Sequence, residues 1–190
     1  MSGMVTGTAA FGLLLIYEYQ KCRSIRQNLS RRNPWFLLGT LVLLGTFLME
    51  ALDAETADWP RFTAGVIVLA VGILIYGAVL GVAVGGQGYT RDRSVTEVSR
   101  KGLYGHMRHP GVWSFLLCSL GYGTAFPEGM AMALWMAVLN LFYTILQDRY
   151  FFPVYLAGYE KYKKEVPFLF PRLKQPPSCE RERERGNRKN

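Results

Sequence analysis

The chain has 190 residues, half of them hydrophobic, with 22 lysines and arginines against 14 aspartates and glutamates. Its apolar residues fall in long blocks between charged ones, which argues against a soluble domain with helical or strand periodicity. The net charge of +8 lies beside these blocks, so we expect a lipid bilayer as partner and no nucleic acid. Cys22, Cys118 and Cys179 are widely spaced, so no metal site is expected.

Five apolar stretches predict an all-α integral membrane bundle of about five transmembrane helices. They are residues 4–17, 34–52, 62–85, 112–126 and 130–146. The first is short for a span, and lying in the membrane interface is its alternative. It also lacks the basic flank and cleavage site of a signal peptide. The third is the longest and most apolar, and is therefore the clearest helix.

The loops between these stretches differ in charge, and this predicts the orientation. The first loop carries five positive charges, Lys21, Arg23, Arg26, Arg31 and Arg32. The third loop, residues 86–109, is also basic, whereas the second connection carries Glu50, Asp53, Glu55 and Asp58. Because basic loops favour the cytosolic side, we expect five crossings with the N-terminus outside and the tail inside.

Two further segments follow the fifth stretch. Residues 148–171 are aromatic, basic and interrupted by Pro153, which predicts one or two amphipathic cytosolic helices at the membrane interface. Residues 174–190 lack apolar side chains able to build a core, which predicts a disordered charged tail. The chain is therefore expected to form one membrane domain over residues 1–173.

The basic third loop ends in residues 102–110, Gly-Leu-Tyr-Gly-His-Met-Arg-His-Pro. Pro110 suits the first turn of a helix, where its missing N–H costs nothing. His106, Arg108 and His109 then lie at a helix N-terminus, which favours anions such as a carboxylate or phosphate. The alternative for such a loop is a basic juxtamembrane anchor.

The pattern G-x-Y-x-x-x-R-H-P of this stretch resembles the isoprenylcysteine carboxyl methyltransferases and their relatives, the membrane phospholipid methyltransferases. Residues 159–167 are similar to the family's Y-x-x-Y-K-x-x-V-P signature, which follows its last membrane helix. The two patterns stand in the family's order and approximate spacing. The resemblance covers residues 87–171, which it implies to be the cofactor-binding half.

The resemblance implies S-adenosylmethionine as cofactor and assigns roles to seven residues. Those implied to bind the cofactor are Gln87, Tyr104, His109, Pro110 and Gln147, and those implied to be catalytic are Arg108 and Asp148. Arg108 would place charge near a carboxylate. If the alignment slips by one residue, Asp148 would supply the acidic group of the site and Arg149 a cation.

By the same resemblance, the expected substrate is the C-terminal carboxylate of a prenylated protein, methylated at the endoplasmic reticulum with both motifs facing the cytosol. An organellar inner membrane is the alternative location. The alternative enzyme methylates an amino-phospholipid and needs a base, for which His106, His109 and Asp148 are the candidates. A structural membrane subunit without catalysis is the third alternative. The departures from the family pattern that favour it are Thr96, Val112, Tyr143 and Gln147.

Overall fold

The apolar blocks of the sequence form the five long helices of the structure. These are α1 (Ser2–Arg26), α2 (Trp35–Asp53), α3 (Trp59–Gly85), α4 (Pro110–Ala125) and α5 (Met130–Leu146). The predicted all-α class is confirmed. Helix α1 continues past the predicted residue 17 because the residues that follow include good helix formers such as Glu18, Lys21 and Arg23.

The structure is a computed structural model, and it describes residues 2–27, 33–85 and 96–173, without the side chains of 80, 82–85 and 96. The predicted cofactor residue Gln87 and the predicted disordered tail, residues 174–190, lie outside the described residues.

Three segments are long and apolar enough to cross a membrane, namely Trp35–Asp53, Trp59–Val79 and Pro127–Tyr155. Their outward faces are apolar, and Leu74 for example is 73% exposed. The other two predicted spans fall in α1 and α4, which are not among the three in the described part of the chain. Helix α4 has 16 residues, about 24 Å, which is less than the hydrocarbon thickness of a bilayer.

The helices pack in the order α2, α1, α5, α4, α3. The core between them consists of Phe11, Leu14, Tyr122, Met132, Ala133, Met136 and Tyr143. Helices α3 and α4 approach closely at glycines. A Cβ atom on Gly65 would lie 2.5 Å from the backbone nitrogen of Ala125, and one on Gly121 would lie 2.4 Å from that of Leu69. Small residues at these positions therefore set the distance between the two helices.

After α5 the chain makes a π-helical turn, Gln147–Phe151, and two short helices, α6 (Phe152–Tyr155) and α7 (Tyr159–Glu165). Between them, β2 (Leu156–Ala157) pairs in parallel with β1 (Thr96–Glu97), a pairing that the sequence did not predict. The predicted C-terminal helical region is thus two short helices. This arrangement brings the chain back over the loop that precedes α4.

Candidate functional site

The two motif stretches are in direct contact. The Tyr162 hydroxyl donates a 2.7 Å hydrogen bond to the carbonyl of Tyr104, and the backbone N–H of Arg108 donates to the carbonyl of Pro167 at 2.9 Å. Tyr162 is almost fully buried in a small aromatic cluster behind this contact. The C-terminal segment therefore fixes the loop before α4 in place.

The end of this loop directs His109 inward. Pro110 is the first residue of α4, as predicted, and His109 is its N-cap residue. The imidazole makes no capping hydrogen bond; it stacks on Phe152, with ring centroids 5.6 Å apart, and contacts Phe168 edge-on at 4.9 Å. The ring is thus held in a buried aromatic slot, with Nε2 2.9 Å from Asp148.

Asp148 is the centre of the site. It is 6% exposed, and its Oδ1 accepts hydrogen bonds from Tyr159 at 2.6 Å and His109 at 2.9 Å. Arg108 Nη1 lies 3.0 Å from the same oxygen, and Lys163 Nζ lies 3.4 Å from Oδ2. Because a buried carboxylate is costly without compensation, four donors around one aspartate indicate a built ionic cluster.

The protonation states in this cluster follow from burial. Desolvation lowers the pKa of His109, although its hydrogen bond to Asp148 opposes the shift. The imidazole is therefore neutral near pH 7 and donates from Nε2. Desolvation, followed by the bond to Asp148, raises the pKa of Tyr159, so this hydroxyl stays protonated and donates. The charged members are Asp148, Arg108 and Lys163.

A second polar cluster surrounds Glu18 of α1, which is 2% exposed. Oε1 accepts hydrogen bonds from the Tyr143 hydroxyl at 3.0 Å and from Gln147 Nε2 at 2.6 Å. Oε2 accepts one from the Tyr155 hydroxyl at 3.0 Å. Gln147 and Asp148 are adjacent in the π-helical turn, so this turn directs one side chain to each cluster.

A cavity of about 200 Å³ lies between the helices beside both clusters. It is lined by the predicted residues Tyr104, Arg108, His109, Pro110 and Gln147, together with apolar side chains of α1, α2 and α3. Burial raises the pKa of Tyr104 to about 12, which leaves its hydroxyl as a donor at physiological pH. Of the described residues predicted for the site, all but Asp148 line this cavity. Asp148 instead accepts hydrogen bonds from Arg108 and His109, which do line it.

Two buried polar atoms on side chains of the cavity wall have no hydrogen-bond partner within the described part of the chain. They are Nε of Arg108, a donor, and Oδ1 of Asn140, an acceptor. An unsatisfied buried polar group is unfavourable and calls for an explanation such as a ligand. A ligand with both an acceptor and a donor would satisfy the two.

The structure places Arg149, which was suggested as a cation of the site, outside it. Arg149 is exposed and its guanidinium lies over the ring of Tyr150, because the π-helical turn points it outward. Arg108 and Lys163 are the cations instead. The sequence prediction also missed Glu18. Its only signal was a carboxylate directly after an apolar stretch, which more often marks a solvated helix end.

Comparison of the chain with protein-family models, with curated proteins and with solved structures finds no match in any of the three.

Proposed function

We propose that this protein is an integral membrane methyltransferase that uses S-adenosylmethionine to methylate the C-terminal carboxylate of prenylated proteins. The observation that carries the proposal is one cavity lined by the first motif stretch and by Gln147, whose neighbour Asp148 joins the first stretch to the second. Tyr104, Arg108, His109 and Pro110 come from the first stretch and Gln147 from the turn after α5, yet all five line one space. Gln147 is distant from the first stretch in the sequence, so its place in the same cavity supports the roles that the resemblance implies.

The side chains on the cavity wall suit S-adenosylmethionine chemically. Arg108 Nε is a buried donor for the cofactor's carboxylate, and Asn140 Oδ1 is a buried acceptor for its ammonium or hydroxyl groups. Aromatic side chains such as Phe115 and Phe152 also line the cavity and suit the adenine ring. The cavity volume, about 200 Å³, is below the usual range for such ligands, so the cofactor would need the site to open further.

The proposed reaction needs no general acid or base. When bound, the cofactor supplies an electrophilic methyl group; a carboxylate oxygen forms the new bond to carbon while the carbon–sulfur bond breaks and its electron pair stays on sulfur. A C-terminal carboxylate is already ionised near neutral pH, so no side chain needs to take a proton. The residues of this chain would position the reactants and exclude water, and the largely apolar wall suits that task.

The membrane setting is part of the same proposal. Three apolar helical segments are long enough to cross a bilayer. In the proposed arrangement α1 and α4 complete a five-helix bundle in the endoplasmic reticulum, with the motifs on the cytosolic side. Exposed leucines on α2 and α3 provide the apolar exterior that lipid requires. The cavity also has walls from these helices, which would let a prenyl chain enter from the bilayer.

An amino-phospholipid is the second candidate substrate. Its ammonium must lose a proton before it can accept a methyl group, so this reaction needs a base. His109 is neutral, lines the cavity and donates from Nε2 to Asp148, which is the arrangement of a base with an orienting carboxylate. His109→Gln separates the two reactions. It should abolish methylation of phosphatidylethanolamine but reduce methylation of a farnesylcysteine substrate only a few-fold.

The primary test is S-adenosylmethionine binding to the detergent-purified protein, measured by calorimetry, with Asn140→Leu as the variant. The substitution removes a buried acceptor without a partner, so the protein should become more stable by about 1 kcal/mol. Cofactor affinity should nevertheless fall about tenfold or more, because the ligand loses that acceptor.

The matched control is Val138→Leu, a substitution on the outward face of the same helix, where the side chain is 58% exposed. It should change neither stability nor binding. If the unmodified protein binds no S-adenosylmethionine at millimolar concentration, the proposed function is wrong. If Asn140→Leu binds as well as the unmodified protein, the placement of the cofactor in this cavity is wrong.

A further inference from the structure

Glu18 does not line the cavity but contacts two side chains that do. Its three hydrogen-bond donors come from α5, the π-helical turn and α6. Two of them, Tyr143 and Gln147, line the cavity, whereas Glu18 and Tyr155 are not among the described residues of its wall. Any effect of the carboxylate on a ligand is therefore exerted through the two lining side chains.

The carboxylate fixes which way the Gln147 amide points. A carboxylate only accepts, so the 2.6 Å contact must be made by the amide nitrogen. The amide oxygen is then the atom that remains for a ligand in the cavity. In the same way, the Tyr143 hydroxyl donates its proton to Glu18, so toward a ligand its oxygen can act only as an acceptor. This part of the wall thus offers acceptors, with a negative charge directly behind them.

The charges around the cavity are unequally placed. On one side, Arg108 lines the wall, and Asp148 and Lys163 lie behind it. On the other side, Glu18 is the carboxylate behind Gln147 and Tyr143. Lys21, one turn further along α1, lies over the ring of Tyr155 with Nζ 3.7 Å from the centroid, and its charge interacts with that of Glu18. Neither Lys21 nor Tyr155 is among the described cavity-lining residues, so the cavity receives acceptors at this side and a cation at the other.

We propose that Glu18 is a positioning residue that orients Gln147 and Tyr143 as acceptors and makes the cavity selective for a positively charged ligand over its neutral analogue. This inference rests on the proposed function, where the pair in question is S-adenosylmethionine, with its sulfonium, and S-adenosylhomocysteine, which is the neutral thioether left after methyl transfer. Selectivity of this kind favours loading of the cofactor and release of the spent product.

Glu18→Gln tests the proposal, because it keeps the shape of the side chain while it removes the charge and the fixed acceptor. Dissociation constants of S-adenosylmethionine and S-adenosylhomocysteine are measured by calorimetry on the full chain in detergent. We expect the unmodified protein to prefer S-adenosylmethionine. In Glu18→Gln this preference should fall about tenfold, mostly through weaker S-adenosylmethionine binding, and Glu18→Asp should restore part of it.

The control is Glu50→Gln, a carboxylate of α2 that contacts Ser2 and does not line the cavity. It should leave the preference unchanged. An equal loss for both ligands in Glu18→Gln indicates a merely structural role and overturns the inference, as does an unchanged ratio. If the unmodified protein binds neither ligand, the proposed function fails and this inference fails with it, which distinguishes the two results.

Discussion

The hydroxyl of Tyr159 donates a 2.6 Å hydrogen bond to Oδ1 of Asp148, the oxygen that also faces His109. Tyr159 begins the second motif stretch and His109 belongs to the first. One carboxylate oxygen therefore joins the two stretches across the end of α5. The contact gives both motifs a structural task in addition to any role in binding.

Tyr159→Phe should lower the free energy of unfolding by about 1.5 kcal/mol, because a hydrogen bond to a buried carboxylate is lost while its other donors remain. Chemical denaturation in detergent measures the change. Tyr150→Phe is the matched control, since Tyr150 is 57% exposed and keeps its ring contact with Arg149. Equal stability of the two variants would show that the Tyr159 bond contributes nothing.

Asp148→Asn should be more damaging, by about 3 kcal/mol, because Arg108 is left buried without its anion. Asp58→Asn supplies the comparison at the other end of the bundle. That aspartate also pairs with an arginine, Arg61, at 3.4 Å, but both side chains are more than half exposed. Its loss should cost less than about 1 kcal/mol. A similar cost at both positions would refute the view that burial determines the value of the Asp148 pairs.

The sequence was sufficient for the helices and for the placement of both motifs at the same end of the bundle, but not for the polar clusters behind them. Apolar blocks predict α2, α3 and α5 because burial in lipid requires length and composition alone. Pro110 predicts the start of α4 by its backbone chemistry. Glu18 pairs with Gln147 across 129 positions, which depends on how α1 packs against α5. No local pattern encodes that packing.

The uncertain alignment at Gln147 and Asp148 also has a physical explanation. In a regular helix, two adjacent residues point about 100° apart, so only one of them would be expected to serve the site. The π-helical turn Gln147–Phe151 changes this spacing, and both side chains are used. A single extra residue in a helical turn leaves no mark on composition or periodicity, so the sequence did not predict it.

Stability should depend on pH through His109. Burial lowers the pKa of this imidazole below its ordinary value of 6.5, so between the two pKa values the unfolded chain binds a proton that the folded protein does not. The free energy of unfolding should therefore be highest above pH 6.5. It should decrease as the pH falls toward the pKa that His109 has in the folded protein. Denaturation between pH 7.5 and about 5 measures this.

His109→Gln is the comparison for that experiment, because a neutral amide keeps a donor toward Asp148 but does not titrate. The chain has two histidines, and His106 is present in both proteins, so the difference between the two curves isolates His109. The variant's curve should be flatter below pH 6.5. Parallel curves would mean that His109 titrates alike in the folded and unfolded states.

The packing of α3 against α4 can be tested with two glycines of the same helix. A Cβ on Gly65 would lie 2.5 Å from the backbone nitrogen of Ala125, which cannot move aside, whereas one on Gly77 would meet nothing within 4 Å. Gly65→Ala should therefore cost about 1–3 kcal/mol, because it forces the two helices apart. Gly77→Ala should be neutral or stabilising by up to about 1 kcal/mol, because alanine favours the helix. Both values are measured as shifts of the unfolding midpoint in detergent. If Gly65→Ala is tolerated as well as Gly77→Ala, helices α3 and α4 are not in the close contact that the structure shows.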